Sequence, residues 1–168
     1  RIGRLTMSLD IGTALAYFGP PLAEGLAVIG TALGIQKAAS VGLSVISEDP
    51  KMMARVYALA FLPATQTMVY GFGYLFLIYS MIRSYLETHG SIPLHVGAGI
   101  LALSIFVGLA EMWSAYKQGE VCADGAALLI KTEGRLFPST IILAAYEELF
   151  GILGLAFGFL ISSLLLAT

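Results

Sequence analysis

Four long apolar stretches make up most of this 168-residue chain, and short polar clusters divide them. Runs of about 20 apolar residues mark membrane-spanning helices, and here they predict helices over residues 10–46, 51–86, 92–131 and 136–167. The dividers have the chemistry of helix ends: Ser47-Glu48-Asp49-Pro50, Thr88-His89-Gly90-Ser91 followed by Pro93, and Thr132-Glu133-Gly134-Arg135. The last helix would be ~48 Å long at ~1.5 Å per residue, against a hydrocarbon core of about 30 Å. At least one of its ends therefore projects into water. The expected fold class is an all-α membrane protein with two tandem helical hairpins, residues 1–87 and 88–168.

Composition agrees with the pattern: 58% of residues are hydrophobic and 12% charged, where soluble domains carry about 25% charged residues. Soluble, disordered, collagen-like and disulfide-rich secreted classes are excluded together. A net charge of −2 leaves no basic stripe for nucleic acid, and the single Cys122 cannot form an intramolecular disulfide. No G-x-x-x-x-G-K-[ST] phosphate loop occurs, so no ATP site is expected on this chain. Lys51, Arg55, Lys131 and Arg135 flank two loops, while Arg1, Arg4 and Arg83 lie on the other side. By the positive-inside rule, the loops after the first and third helices are expected in the cytoplasm. The chain starts Arg1-Ile2-Gly3-Arg4 without Met, which fits a trimmed or processed start, and its first apolar run continues through Gly19-Pro20-Pro21 rather than toward a signal-peptide cleavage site.

Small residues repeat every fourth position in two helices. Gly30, Gly34, Ala38 and Gly42 in the first have counterparts Ala115, Gly119, Ala123 and Ala127 in the third, at a constant offset of 85. Two ladders in register argue for a duplicated hairpin. Each ladder lies on one helix face, where missing side chains let backbones approach, as membrane helices require in the absence of a hydrophobic drive between them.

Ionisable groups within spanning helices are costly and mark function. Glu24, Lys37, Glu111, Lys117, Glu120, Asp124, Glu147 and Glu148 all fall there, with Thr65, Gln66 and Gln118 beside them. Counted from Glu133, Gln118 and Glu148 stand 15 residues to either side and are expected at one depth. Gly34 and Thr65-Gln66 reach the same level in the first hairpin. Hydroxyl and amide oxygens with one carboxylate suit an alkali cation or hydronium. Pro63 lacks an N–H and frees carbonyls in the preceding turn, making the Leu62 carbonyl a further candidate, since unwound carbonyls coordinate Na⁺ in membrane sites. The alternative is that both glutamines only hydrogen-bond between helices, worth about 0.6 kcal/mol on average, with Glu148 facing an aqueous cavity.

Leu62-Pro63-Ala64-Thr65-Gln66 with Tyr70-Gly71-Phe72, then Lys117-Gln118-Gly119, then Glu148-Leu149-Phe150-Gly151-Ile152-Leu153-Gly154 form an ordered set on a duplicated chain. The set resembles the membrane rotor proteolipid (K or c type) of V/A-type rotary ATPases, over nearly the whole chain. The resemblance implies a ring of identical subunits turned against a stator membrane subunit as ions bind to and leave the glutamate. It also implies a central stalk docked on the cytoplasmic loops and ATP hydrolysed or made in a separate peripheral sector. The implied location is a prokaryotic cell membrane, with lipid as a further partner. Its sodium-type site implies Na⁺, with H⁺ as the alternative cargo, bound by Leu62 carbonyl, Thr65, Gln66, Gln118 and Glu148; no other cofactor is implied. Two departures stand out. Sodium-type members carry a tyrosine three residues after the glutamine, whereas here position 69 is Val and Tyr70 comes one later, about 100° further round an α-helix. Glu147 also occupies a usually apolar position and is expected to be paired or to face an adjacent subunit. Lys117 and Glu120, one turn apart, are expected to pair, and Glu24 and Glu111 to line the ring's interior. A proton-coupled four-helix exporter is the competing class, expected to show an aromatic-lined cavity; a purely structural membrane protein would explain the ladders alone.

Overall fold

The computed structural model describes residues 10–167, which leaves Arg1 and Arg4, used in the orientation argument, outside the described residues. Four segments are long and apolar enough to cross a membrane: Ile11–Glu48, Pro50–His89, Leu94–Ala127 and Phe137–Leu165. The first is one helix, α1 (Ile11–Glu48), and the second is broken into α2 (Met53–Phe61) and α3 (Phe72–His89). The third and fourth are α4 (Leu94–Ala127) and α5 (Phe137–Leu165). No strand occurs among the described residues. The protein is a multi-pass integral membrane protein.

Polar groups fix the ends. Asp10 caps α1, its carboxylate accepting Thr13 N–H at 2.8 Å and Thr13 Oγ1 at 2.9 Å, and these bonds hold its carboxyl below the usual carboxylate range. The cap is thus intact at neutral pH and is lost as acid protonates Asp10. Thr13 Oγ1 in turn accepts Ile92 N–H at 3.0 Å, tying the start of α1 to the start of the second half. Gly90, at φ 78°, ends α3 by donating to Leu86 O.

The third helix stops at Ala127, four residues before the expected 131. Leu128 N–H turns back to Gly125 O and Leu129 N–H to Ala126 O, tightening the last turn and driving Leu129 fully into the core. The chain then reverses through turns in which Glu133 (φ 54°) and Gly134 (φ 79°) are left-handed. The loop spans 128–136, so its centre lies earlier than Glu133 and the facing register moves with it.

The small-residue ladders meet each other inside the chain. A Cβ on Gly119 would collide with the Gly34 backbone, one on Gly34 with Ala115 O, and one on Gly30 with Met112. Helices α1 and α4 thus pack backbone to backbone, in the close mode open to membrane helices with small faces. Seven of the eight ladder residues, Gly30, Gly34, Ala38, Gly42, Ala115, Gly119 and Ala123, are buried. Ala127, the last residue of α4, is exposed. Large apolar side chains such as Phe61, Phe72, Phe76, Phe150 and Phe157 are more than half exposed and form a surface that only lipid or another protein chain can cover.

Candidate ion site and family membership

The second span, expected as one helix over 51–86, unwinds at Pro63, the residue expected to free carbonyls. Residues Leu62–Ala64 form a 3₁₀ turn, and Gln66–Gly71 form a π-helical turn before α3 resumes. The 3₁₀ turn brings three oxygens together: Thr65 Oγ1 lies 3.0 Å from Leu62 O and 3.1 Å from Gln66 Oε1. Leu62 O also accepts Thr65 N–H, whereas Gln66 Oε1 must share the one hydroxyl hydrogen with it. The Pro63 carbonyl is held separately by Thr31 Oγ1 at 2.9 Å, and Thr31 Oγ1 accepts Thr67 Oγ1 at 2.7 Å.

Opposite stands a polar stripe of α4. Ser114 and Gln118 lie one turn apart on one face and are buried at 2% and 0% exposure. Ser114 accepts Gln66 Nε2 at 3.0 Å and donates to Glu147 O at 2.6 Å. Gln118 Nε2 donates to Ala144 O at 3.1 Å. Both amides are therefore anchored by their nitrogens and present their oxygens. Gln66 Oε1 meets Thr65, while Gln118 Oε1 is buried with no hydrogen-bond donor. An inward amide oxygen without a donor is costly in a protein interior, and a cation would satisfy it.

The extra residue before Tyr70 changes the expected angle only on an unbroken α-helix. A π turn accommodates one added residue without rotating the helix beyond it, and with Gln66–Gly71 in that form Tyr70 Oη donates to Glu148 Oε1 at 3.0 Å. The rotation of about 100° expected for Tyr70 on a regular helix is thus corrected: the π turn returns it to the glutamate.

Other expectations shift. Gln118 Nε2 reaches Ala144 O, one turn before Glu148. Glu148 is half-buried under Tyr70, and Glu147 is half-buried along a groove it lines with Trp113 and Lys117. Lys117 pairs with Glu120 at 2.8 Å as expected, and Lys37 of α1 bonds the other oxygen of that carboxylate. Glu111 does not line an interior surface, being fully buried within the chain. Ser114 was missed, although its position four residues before Gln118 is a readable signal; Thr31 carried none.

A model of the ATP synthase C-subunit family matches the sequence twice, over residues 18–78 and 101–161. The chain belongs to that family. The double match makes it a duplicated, four-helix member of the ion-translocating rotor-ring proteolipids, which form oligomeric rings working with a stator protein in ATPase complexes. No curated protein matches the sequence.

Proposed function

We propose that this member of the ATP synthase C-subunit family is the rotor proteolipid of a V/A-type ATPase, and that it carries Na⁺ on Glu148. The observation behind this reading is the pair of amide oxygens short of donors: Gln66 Oε1, within reach of a Thr65 hydroxyl hydrogen that Leu62 O also attracts, and Gln118 Oε1, buried and unpartnered. Protonation of Glu148 needs no such set, whereas desolvated Na⁺ needs several neutral oxygens beside one carboxylate. Ser114 and Ala144 O anchor the amide nitrogens, so the oxygens are oriented before the ion arrives. Tyr70 holds the half-exposed Glu148 against the body of the protein.

In this reading a bound ion cancels the Glu148 charge, so that the loaded protomer can face lipid, and release beside the stator exposes a carboxylate attracted to the stator's charge. Rotation couples ion passage to ATP hydrolysis or synthesis in the peripheral sector. The loops at 49–50 and 128–136 face the cytoplasm of a prokaryotic cell and dock the central stalk.

Carbodiimide labelling of the detergent-purified ring, with the modified residue located by mass spectrometry, tests the site. The expected modification is at Glu148, with Na⁺ slowing it more strongly as pH rises, because protons and Na⁺ compete for one carboxylate. Gln66→Leu should weaken that protection while leaving the ring intact. Labelling insensitive to Na⁺ from about pH 5 to pH 9, the range in which desolvated carboxyls titrate, would assign the site to protons, and modification at Glu147 alone would move the carrier. Tyr70→Phe should lower Na⁺ affinity by about tenfold or more, since a hydrogen bond to a charged group contributes about 1.5–3 kcal/mol; unchanged Na⁺ protection in this variant would remove the tyrosine from the site.

A further inference from the structure

The two halves of the chain meet head to tail. The family match sets them 83 residues apart, 18–78 against 101–161, two fewer than the offset of 85 between the small-residue ladders. The structure repeats at the shorter offset: a Cβ on Gly71 would lie 3.1 Å from Ala27 Cβ, and one on Gly154 2.8 Å from Ala110 Cβ, the same pair of positions in each half. Two residues are about 200° round a helix, so the ladders of α1 and α4 lie on nearly opposite faces of the repeating hairpin. Contact between unlike faces is heterologous, and the same step applied again leads to the next copy and closes a ring.

That step names both surfaces. Gly30, Gly34, Gly71 and Tyr74, all buried, belong to the seat in which the first hairpin holds the second. Their counterparts Trp113, Lys117, Gly154 and Phe157 line one groove of about 550 Å³ between α4 and α5, together with Glu147. Trp113 and Phe157 are more than half exposed on the protomer, a surface that another chain or lipid must cover. On the other side, Ala115 and Gly119, which fill the first seat against Gly34, have counterparts Ala32 and Gln36 on α1, both exposed. Where glycine meets glycine in the first seat, the repeat sets Gln36 of the next copy against Lys117.

We infer that the groove between α4 and α5 seats the Ala32–Gln36 face of α1 from the next copy, and that the Gln36 amide of that copy bridges Lys117 and Glu147. The chemistry is complementary. Lys117 donates to Glu120 at 2.8 Å, and an ammonium has three donors, so it can also donate to an amide oxygen. The amide nitrogen donates in turn to the Glu147 carboxylate. A neutral amide between one positive and one negative group keeps the contact uncharged overall at membrane depth, where unpaired charge is costly. Glu147, one residue from the carrier Glu148, thereby serves assembly, and nothing in the contact depends on which ion Glu148 carries.

The test is disulfide cross-linking of the purified ring carrying Gln36→Cys together with Lys117→Cys. Within one chain α1 and α4 meet through Gly34 and Gly119, and positions 36 and 117 each lie about 200° round the helix from those contacts, so a link between them must join two copies. Mild oxidation is expected to give dimers and a ladder of higher multiples on a denaturing gel, and neither single variant should do so, the native Cys122 being buried. An assembled ring that forms no links would overturn the assignment of faces. If that pair does not assemble, Ile29→Cys with Trp113→Cys reads the same contact, since they are the counterparts of Met112 and Gly30, which pack together inside the chain. For the polar bridge, Gln36→Leu and Lys117→Met should each lower the temperature at which the ring dissociates in detergent, and the double variant should lose less than the sum of the two, as residues in contact do. Additive losses would overturn the bridge.

Discussion

Glu148→Gln is expected to abolish ion transport by the assembled ATPase while leaving the ring intact, and Glu147→Gln is expected to retain most of it. The two acids are adjacent in sequence but not in surroundings. Glu148 Oε1 accepts the Tyr70 hydroxyl at 3.0 Å, whereas the Glu147 contact with the polar stripe is made by its backbone carbonyl, which accepts Ser114 Oγ. Glutamine at 148 keeps the volume and can still accept from Tyr70, so the fold loses little. It cannot supply the negative charge that balances a monovalent ion, and attraction between unit charges is strong in a low-dielectric site. ATP-driven uptake of radiolabelled Na⁺ into vesicles carrying the reconstituted complex measures this directly. Near-normal uptake by Glu148→Gln with loss in Glu147→Gln would reverse the assignment.

The parts of this site that were legible in the sequence are those set by composition and spacing. Four apolar runs, the ladders from Gly30 to Gly42 and from Ala115 to Ala127, and the Leu62-Pro63-Ala64-Thr65-Gln66 element are local facts, and local facts are what a sequence displays. Pro63 announced freed carbonyls, because it cannot donate a backbone hydrogen bond, but the span itself reads as one helix over 51–86 and is broken instead into α2 and α3. The π turn was not legible: one extra residue before Tyr70 reads as a rotation on a regular helix, and only packing that holds Tyr70 against Glu148 decides that the backbone takes up the residue instead. The register between α4 and α5 was misjudged for a similar reason. It depends on where α4 stops, and burial of Leu129, a tertiary event, ends the helix at Ala127. Glu111 likewise carries the same letter as an exposed glutamate, and its burial follows from the glycines of α5 that pack over it.

Replacing Gly34 with leucine should have the second large effect, loss of the ring. The Gly34 position is bounded by the Ala115 carbonyl on one side and by Pro63 Cβ, at 3.1 Å from where a Cβ would stand, on the other. Neither can move aside cheaply: Ala115 is helix backbone, and Pro63 is rigid and carries the 3₁₀ turn that assembles Leu62 O with Thr65. Overpacking a core costs about 1–3 kcal/mol where side chains can adjust, and here the obstacle is main chain, so α1 must separate from α4 along the ladder. Gly25 offers the contrast, since a Cβ there would meet nothing within 4 Å. Gly25→Ala should leave the fold of the protomer unchanged, or gain about 0.5–1 kcal/mol of helix preference. Native electrophoresis and electron microscopy of detergent-solubilised membranes separate the two outcomes. A ring of ordinary size from Gly34→Leu would show that α1 and α4 do not need their backbone contact, and the ladder would then lose its role in bringing the two halves of the ion site together.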